Sequence, residues 1–163
     1  MSGKIFVLHD GRNLIELSQA YYENEDSFQR LIEKHPEILA GDQITPDDPR
    51  KWILISREMG VPAVQDGNSQ WYLDHLFIDQ DAIPTFVEVK RSTDTRIRRE
   101  VVAQMLDYAA NAIQYWPIEQ IREQYEKNLL EESSATLSDI GISNTREDAF
   151  WQSVNTNLRA GKI

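Results

Sequence analysis

The chain contains no cysteine, which excludes disulfide staples, thiol catalysis and cysteine-ligated zinc. It also lacks a long apolar run. Its longest uncharged patches, such as Trp52-Ile53-Leu54-Ile55, are strand-sized, well short of the roughly 18 residues that cross a bilayer. The start, Met1-Ser2-Gly3-Lys4, leads into a short apolar stretch without a small-residue cleavage site. No signal peptide is therefore expected, and a cytoplasmic location is. There is no internal repeat or low-complexity tract, no Gly-rich loop that could cradle phosphates, and no Ser/His/Asp arrangement. His9, His35 and His75 stand apart from one another without metal-ligand spacing. Trp52, Trp71, Trp116 and Trp151 are expected to pack rather than to stack on bases.

What is present suits one domain of ordinary size: 163 residues, 40% hydrophobic and 27% charged, a balance that excludes wholesale disorder. The net charge of −10 argues against a non-specific nucleic-acid coat. Its distribution changes that reading. Lys90, Arg91, Arg96, Arg98 and Arg99 lie within ten residues that hold one acid, Asp94. Elsewhere 12 basic residues face 26 acidic ones. Positive charge focused in one short segment points to a site.

Lys4 to Leu8 and Asn13 to Leu17 are strand candidates, joined by Asp10-Gly11, a strong hairpin turn signal. A helix is expected from Asn24, where Phe28, Leu31 and Ile32 recur at three and four, with Asn24 or Asp26 as the cap. Pro36 stops or restarts it, and Gly41 through Arg50 reads as loop. Three strands are expected next, over Lys51–Ser56, Trp71–Ile78 and Thr85–Lys90, with connections short enough for antiparallel pairing. Helices are expected over Arg96–Ala112, with a stripe at Ile97, Val101, Met105, Ala109 and Ala112, over Ile118–Leu130, and over Ala149–Ala160, the last stopped by Gly161 at C′. Glu131 to Thr145 reads as a connection.

Chemistry concentrates around the third strand. Glu88 and Lys90 are two apart and so project from one side of it. If the preceding loop is centred on Asp81, Asp74 lies opposite Glu88, and two carboxylates become neighbours on adjacent strands. Like charges placed together in apolar strands are destabilising unless a cation lies between them. A hard divalent ion suits two carboxylates plus waters, Mg²⁺ above all and Mn²⁺ as the alternative. Lys90 could orient or deprotonate a metal-activated water, or stabilise charge on a phosphate. On the following helix Gln104 and Tyr108, four apart, share one face. Their polar tips suit phosphate or sugar contacts and support of a metal ligand.

Asp74, then Glu88-Val89-Lys90, then Gln104-Met105-Leu106-Asp107-Tyr108, resembles the PD-(D/E)xK nuclease superfamily, and the Gln-x-x-x-Tyr helix looks like its RecB-like branch. The stretch Glu25 to Ile32 ahead of His35-Pro36-Glu37-Ile38-Leu39 is similar to the first core helix of NucS-like endonucleases. The resemblance covers roughly Glu25 to Ala112, about half the chain. It implies an α/β restriction-endonuclease-like core, a mixed sheet with an antiparallel meander flanked by helices, here preceded by an N-terminal β-hairpin. It further implies Asp74 and Glu88 as metal ligands, Lys90 as the catalytic lysine, and Gln104 and Tyr108 as accessory site residues; the Val89 carbonyl is expected to join the two carboxylates on the metal. An acid from the first helix often joins such sites; Glu25 matches best by its distance from Pro36, with Glu33 and Glu37 as alternatives. Leu73 stands where the named motif has proline.

The expected organisation is a hairpin over 1–20, a nuclease core over 21–116 and a helical extension over 117–163. A final core strand is not visible after Tyr108, so the natural chain is expected to continue past Ile163. The expected function is Mg²⁺-dependent hydrolysis of phosphodiester bonds in DNA, or less readily RNA, with Arg91, Arg96, Arg98 and Arg99 on its phosphates. The alternative is a nuclease-like module without activity that binds nucleic acid or a protein partner. An exposed sheet edge would also invite a homodimer.

Overall fold

Asn24 opens the first helix as the sequence leads one to expect: its side chain accepts a hydrogen bond from the Ser27 backbone N–H at 2.7 Å. Helix α1 then runs over Glu25–Lys34, with Glu25 and Asp26 in its first turn and Lys34 in its last, the polarity that complements the helix dipole. The computed structural model describes residues 5–18, 20, 22–62, 69–90, 97–130 and 135–163, of which the side chains at 69, 70, 97 and 98 are left undescribed. Strands β1 (Ile5–His9) and β2 (Asn13–Leu17) form an antiparallel hairpin, exposed throughout. Asp10 and Gly11 both take positive φ at its turn, the conformation an Asp-Gly turn supplies.

After α1, Pro36 restarts the chain as a 3₁₀ turn over Pro36–Leu39. The segment expected as loop contains a one-turn helix, α2 (Gly41–Ile44). Here the chain passes so close to Arg50 that a Cβ at Gly41 would meet the Arg50 carbonyl oxygen at 2.3 Å. Only a glycine allows that approach.

The main sheet has the order β3–β4–β5, with β3 over Trp52–Pro62, β4 over Ser69–Asp79 and β5 over Pro84–Val87. Both pairings are antiparallel. The mixed sheet expected from the resemblance is therefore not what the described residues build; they pair as a meander, as short connections require. No described strand pairs with the outer edge of β5. Strand β3 runs on past Ser56, through an irregularity between Leu54 and Ser56 and a positive φ at Glu58.

Strand alternation sends side chains to two cores. On one face Ile53, Ile55, Leu76 and Ile78 meet Tyr108 and Ala112 of α3 (Ile97–Tyr115), Ile121 and Tyr125 of α4 (Ile118–Asn128), and Trp151, Val154 and Leu158 of α5 (Glu147–Arg159). The segment 117–163 thus shares the main core. On the other face Trp52, Leu54, Phe77 and Val89 meet Ile32 of α1. Trp52, Trp116 and Trp151 are buried, whereas Trp71 lies at the surface. Gly161 takes a positive φ, and Gly161 and Lys162 donate back to Leu158 and Asn157, closing α5 with a Schellman cap.

Candidate functional site

The β4–β5 register pairs His75 with Val87, Leu76 with Phe86 and Phe77 with Thr85, the pairing centred on Asp81. One step further would set Asp74 opposite Glu88. The ladder stops before that step. Strand β5 ends at Val87, so the expected strand through Lys90 is shortened by three residues. The cause is local: the Val89 N–H, which a continuing strand would give to a backbone carbonyl, donates instead to Asp74 Oδ2 at 2.7 Å. A side-chain acceptor competes with the ladder and wins.

Beyond that point the chain keeps the three residues together without strand geometry. Lys90 Nζ reaches Glu88 Oε1 at 2.6 Å. Gln104 Nε2 donates to the same oxygen at 3.0 Å and also to the Tyr108 hydroxyl. Tyr108 in turn donates to the Tyr72 carbonyl at 3.3 Å. The Gln-x-x-x-Tyr pair is therefore a brace running from the β4 backbone to Glu88, made possible by the four-residue spacing on α3.

The brace is one-sided. Among the described residues both donors fall on Glu88 Oε1, while the buried Oε2 has no hydrogen-bond partner; the side chain as a whole is only 4% exposed. Buried oxygens of this kind are costly and uncommon. Burial works against the Lys90 ammonium, but the hydrogen bond to Glu88 and the charges of Glu88, Asp74 and Glu25 together outweigh it and raise the Lys90 pKa. Burial likewise raises the Tyr108 pKa, opposed by Gln104 and reinforced by the charge on Glu88, so the phenol stays protonated and able to donate.

Among the acids proposed from the first helix, Glu25 is the one whose charge acts on Lys90. Glu33 lies 3.9 Å from Arg57, and Glu37 pairs with His35 at 3.0 Å. Of the arginines expected on phosphates, Arg99 is exposed in the first turn of α3. Arg98 has only its backbone described, and Arg91 and Arg96 lie outside the described residues.

The donor set fits a hard divalent cation in kind: carboxylates from Asp74 and Glu88, one of them with a buried oxygen that no described residue answers. Among the described residues no group of three or more Asp, Glu, His or Cys is gathered for a metal ion, so any third carboxylate has to come from a side chain that turns in. No described helix is long and apolar enough to cross a membrane.

Sequence reasoning missed a second cluster. Arg57 of β3 donates to Gln29 Oε1 at 3.1 and 3.3 Å and pairs with Asp26, both on α1. His75, fully buried, donates from Nε2 to the Gln29 carbonyl at 2.9 Å. Its strand phase beside Phe77 was legible, but its partner is a backbone oxygen 46 positions away, for which the sequence carries no signal. Arg57 was hidden because a polar Ser-Arg-Glu reads as the end of a strand. No family model, curated protein or solved structure matches this chain.

Proposed function

We propose that the Asp74–Glu88–Lys90 cluster is the catalytic centre of a metal-dependent nuclease of the PD-(D/E)xK type, on a restriction-endonuclease-like core, acting on phosphodiester bonds in DNA. The observation that carries this reading is Glu88 Oε2: a buried carboxylate oxygen without a donor among the described residues, on a side chain whose other oxygen is held by two. The large majority of buried side-chain oxygens in a purely structural role are answered.

In this reading Asp74 and Glu88 hold Mg²⁺, or Mn²⁺ in its place, with the Val89 carbonyl and Glu25 completing the set. Bound there, the ion would activate water and neutralise the scissile phosphate. Lys90 keeps its ammonium beside the carboxylates and stabilises charge developing on the phosphate. Gln104 fixes the Glu88 rotamer, and Tyr108 fixes Gln104. Arg91, Arg96, Arg98 and Arg99 hold the flanking phosphates, since the rest of the chain repels a polyanion. A binding module without activity is the second reading. The Lys90–Glu88 ion pair favours it, because that contact balances one carboxylate without any metal.

Incubation of circular and linear DNA with the protein in Mg²⁺, in Mn²⁺ and in EDTA tests the two. Cleavage that requires metal is expected. DNA binding without metal-dependent cleavage would establish the second reading instead.

A further inference from the structure

Arg57, His75 and Val87 form one row across β3, β4 and β5. It is the last row that includes β5; the next position along β4 is Asp74. The first turn of α1 is fastened to this row. Arg57, 19% exposed, takes Asp26 and Gln29 with one guanidinium, and His75 takes the Gln29 carbonyl from the neighbouring strand. His75 leaves Nδ1 buried and unpartnered. A carbonyl can only accept, so the ring carries its proton on Nε2. The contacts come from adjacent strands and reach α1 at Asp26 and, from both strands, at Gln29. They tie this part of the helix to the sheet. What they fix in consequence is the residue before Asp26.

We propose that Arg57 is a positioning residue: by gripping Asp26 and Gln29 it holds Glu25, at the N-terminus of α1, at the open end of β5 so that its carboxylate joins Asp74 and Glu88 around a divalent cation. The inference rests on the reading of that cluster as a cation site. With the helix fastened, the third carboxylate in this proposal comes from the Glu25 side chain without the helix itself having to be ordered. Without the grip of Arg57, each ion bound must also order the helix end. Positioning partners of this kind change metal affinity by roughly 10- to 100-fold.

The test is Mn²⁺ affinity measured by calorimetry on four proteins: the wild type, Glu25→Gln, Arg57→Ala and the double variant. Arg57→Ala is expected to weaken Mn²⁺ binding on the order of 10-fold, by about the same factor as Glu25→Gln, and the double variant to bind no more weakly than Glu25→Gln alone. A residue that merely supports the fold would weaken the Glu25→Gln protein by a further independent factor, and that additivity overturns the proposal. So does an unchanged affinity in Arg57→Ala. Asp26→Asn removes the exposed half of the grip and spares the core. It is expected to act in the same direction and to be silent in the Glu25→Gln background, so the proposal stays testable should Arg57→Ala not fold. Failure of the wild type to bind Mn²⁺ at all overturns the nuclease reading and this inference with it, whereas wild-type binding indifferent to Arg57 and Asp26 overturns this inference alone.

Discussion

Asp79 and Glu88 are two buried carboxylates at the ends of neighbouring strands, and the protein treats them in opposite ways. Asp79, 1% exposed, closes the β4–β5 turn. Its Oδ1 accepts from the Asp81 and Ile83 N–H groups at 2.9 Å each, and its Oδ2 receives Arg50. Nothing is left over. Glu88 has comparable burial, yet both of its donors share one oxygen and the other has none. Two acids of similar exposure therefore differ in whether the fold completes them. The completed acid is part of the architecture; the incomplete one is where the proposed cation would bind.

The largest effect that would break this comparison is on stability. Asp79→Ala removes the partner of Arg50 and of two turn N–H groups, and is expected to cost about 3–5 kcal/mol, read as a lowered urea midpoint. Glu88→Gln keeps the shape and the Gln104 contact, and is expected to change stability by no more than about 1 kcal/mol. Equal losses would show that Glu88 is structural after all.

The next effect is on cleavage. Lys90→Ala is expected to lower the cleavage rate by on the order of 10²–10³-fold while leaving the near-ultraviolet circular dichroism unchanged. A rate within a few-fold of wild type would remove the lysine from the proposed mechanism.

The smallest effect is on the opposite face of β4. Burial depresses the His75 pKa below 6.5, partly opposed by the hydrogen bond with Gln29 and by the charge on Asp74. The unfolded chain then takes up a proton below pH 6.5 that the folded chain refuses. Stability contributed by the neutral ring is complete above that pH and falls as the pH drops toward the folded-state value. A loss on the order of 1 kcal/mol between pH 7.5 and 5.5 is expected, and His75→Gln should flatten it. An equally steep profile in that variant would assign the pH dependence elsewhere.

Local signals made much of this fold legible. The Asn24 cap, the Pro36 break, the Asp10-Gly11 turn and the Gly161 stop each act within a few residues of themselves, so the sequence carries them. The β4–β5 register could also be read, because a short loop leaves few ways to pair the strands that flank it. What could not be read depends on partners far along the chain. Gly41 is where the Arg50 backbone leaves no room for a side chain. Strand β3 continues past Ser56 because β4 is there to pair with Arg57 and Met59 and α1 to receive Arg57. Within the site, the residues Asp74, Glu88, Lys90, Gln104 and Tyr108 could be named from spacing and resemblance. The release of Glu88 from the ladder could not, since it follows from Asp74 capturing the Val89 N–H. Nor could the choice of one Glu88 oxygen by both Lys90 and Gln104.

The most direct measurement is a crystal grown in Mn²⁺ with anomalous data collected at the manganese edge. A single peak within about 2.5 Å of Glu88 Oε2 and of an Asp74 carboxylate oxygen, absent from Glu88→Gln crystals, is the expected result. Density for Mn²⁺ elsewhere, with Glu88 Oε2 still unpartnered, would contradict the account.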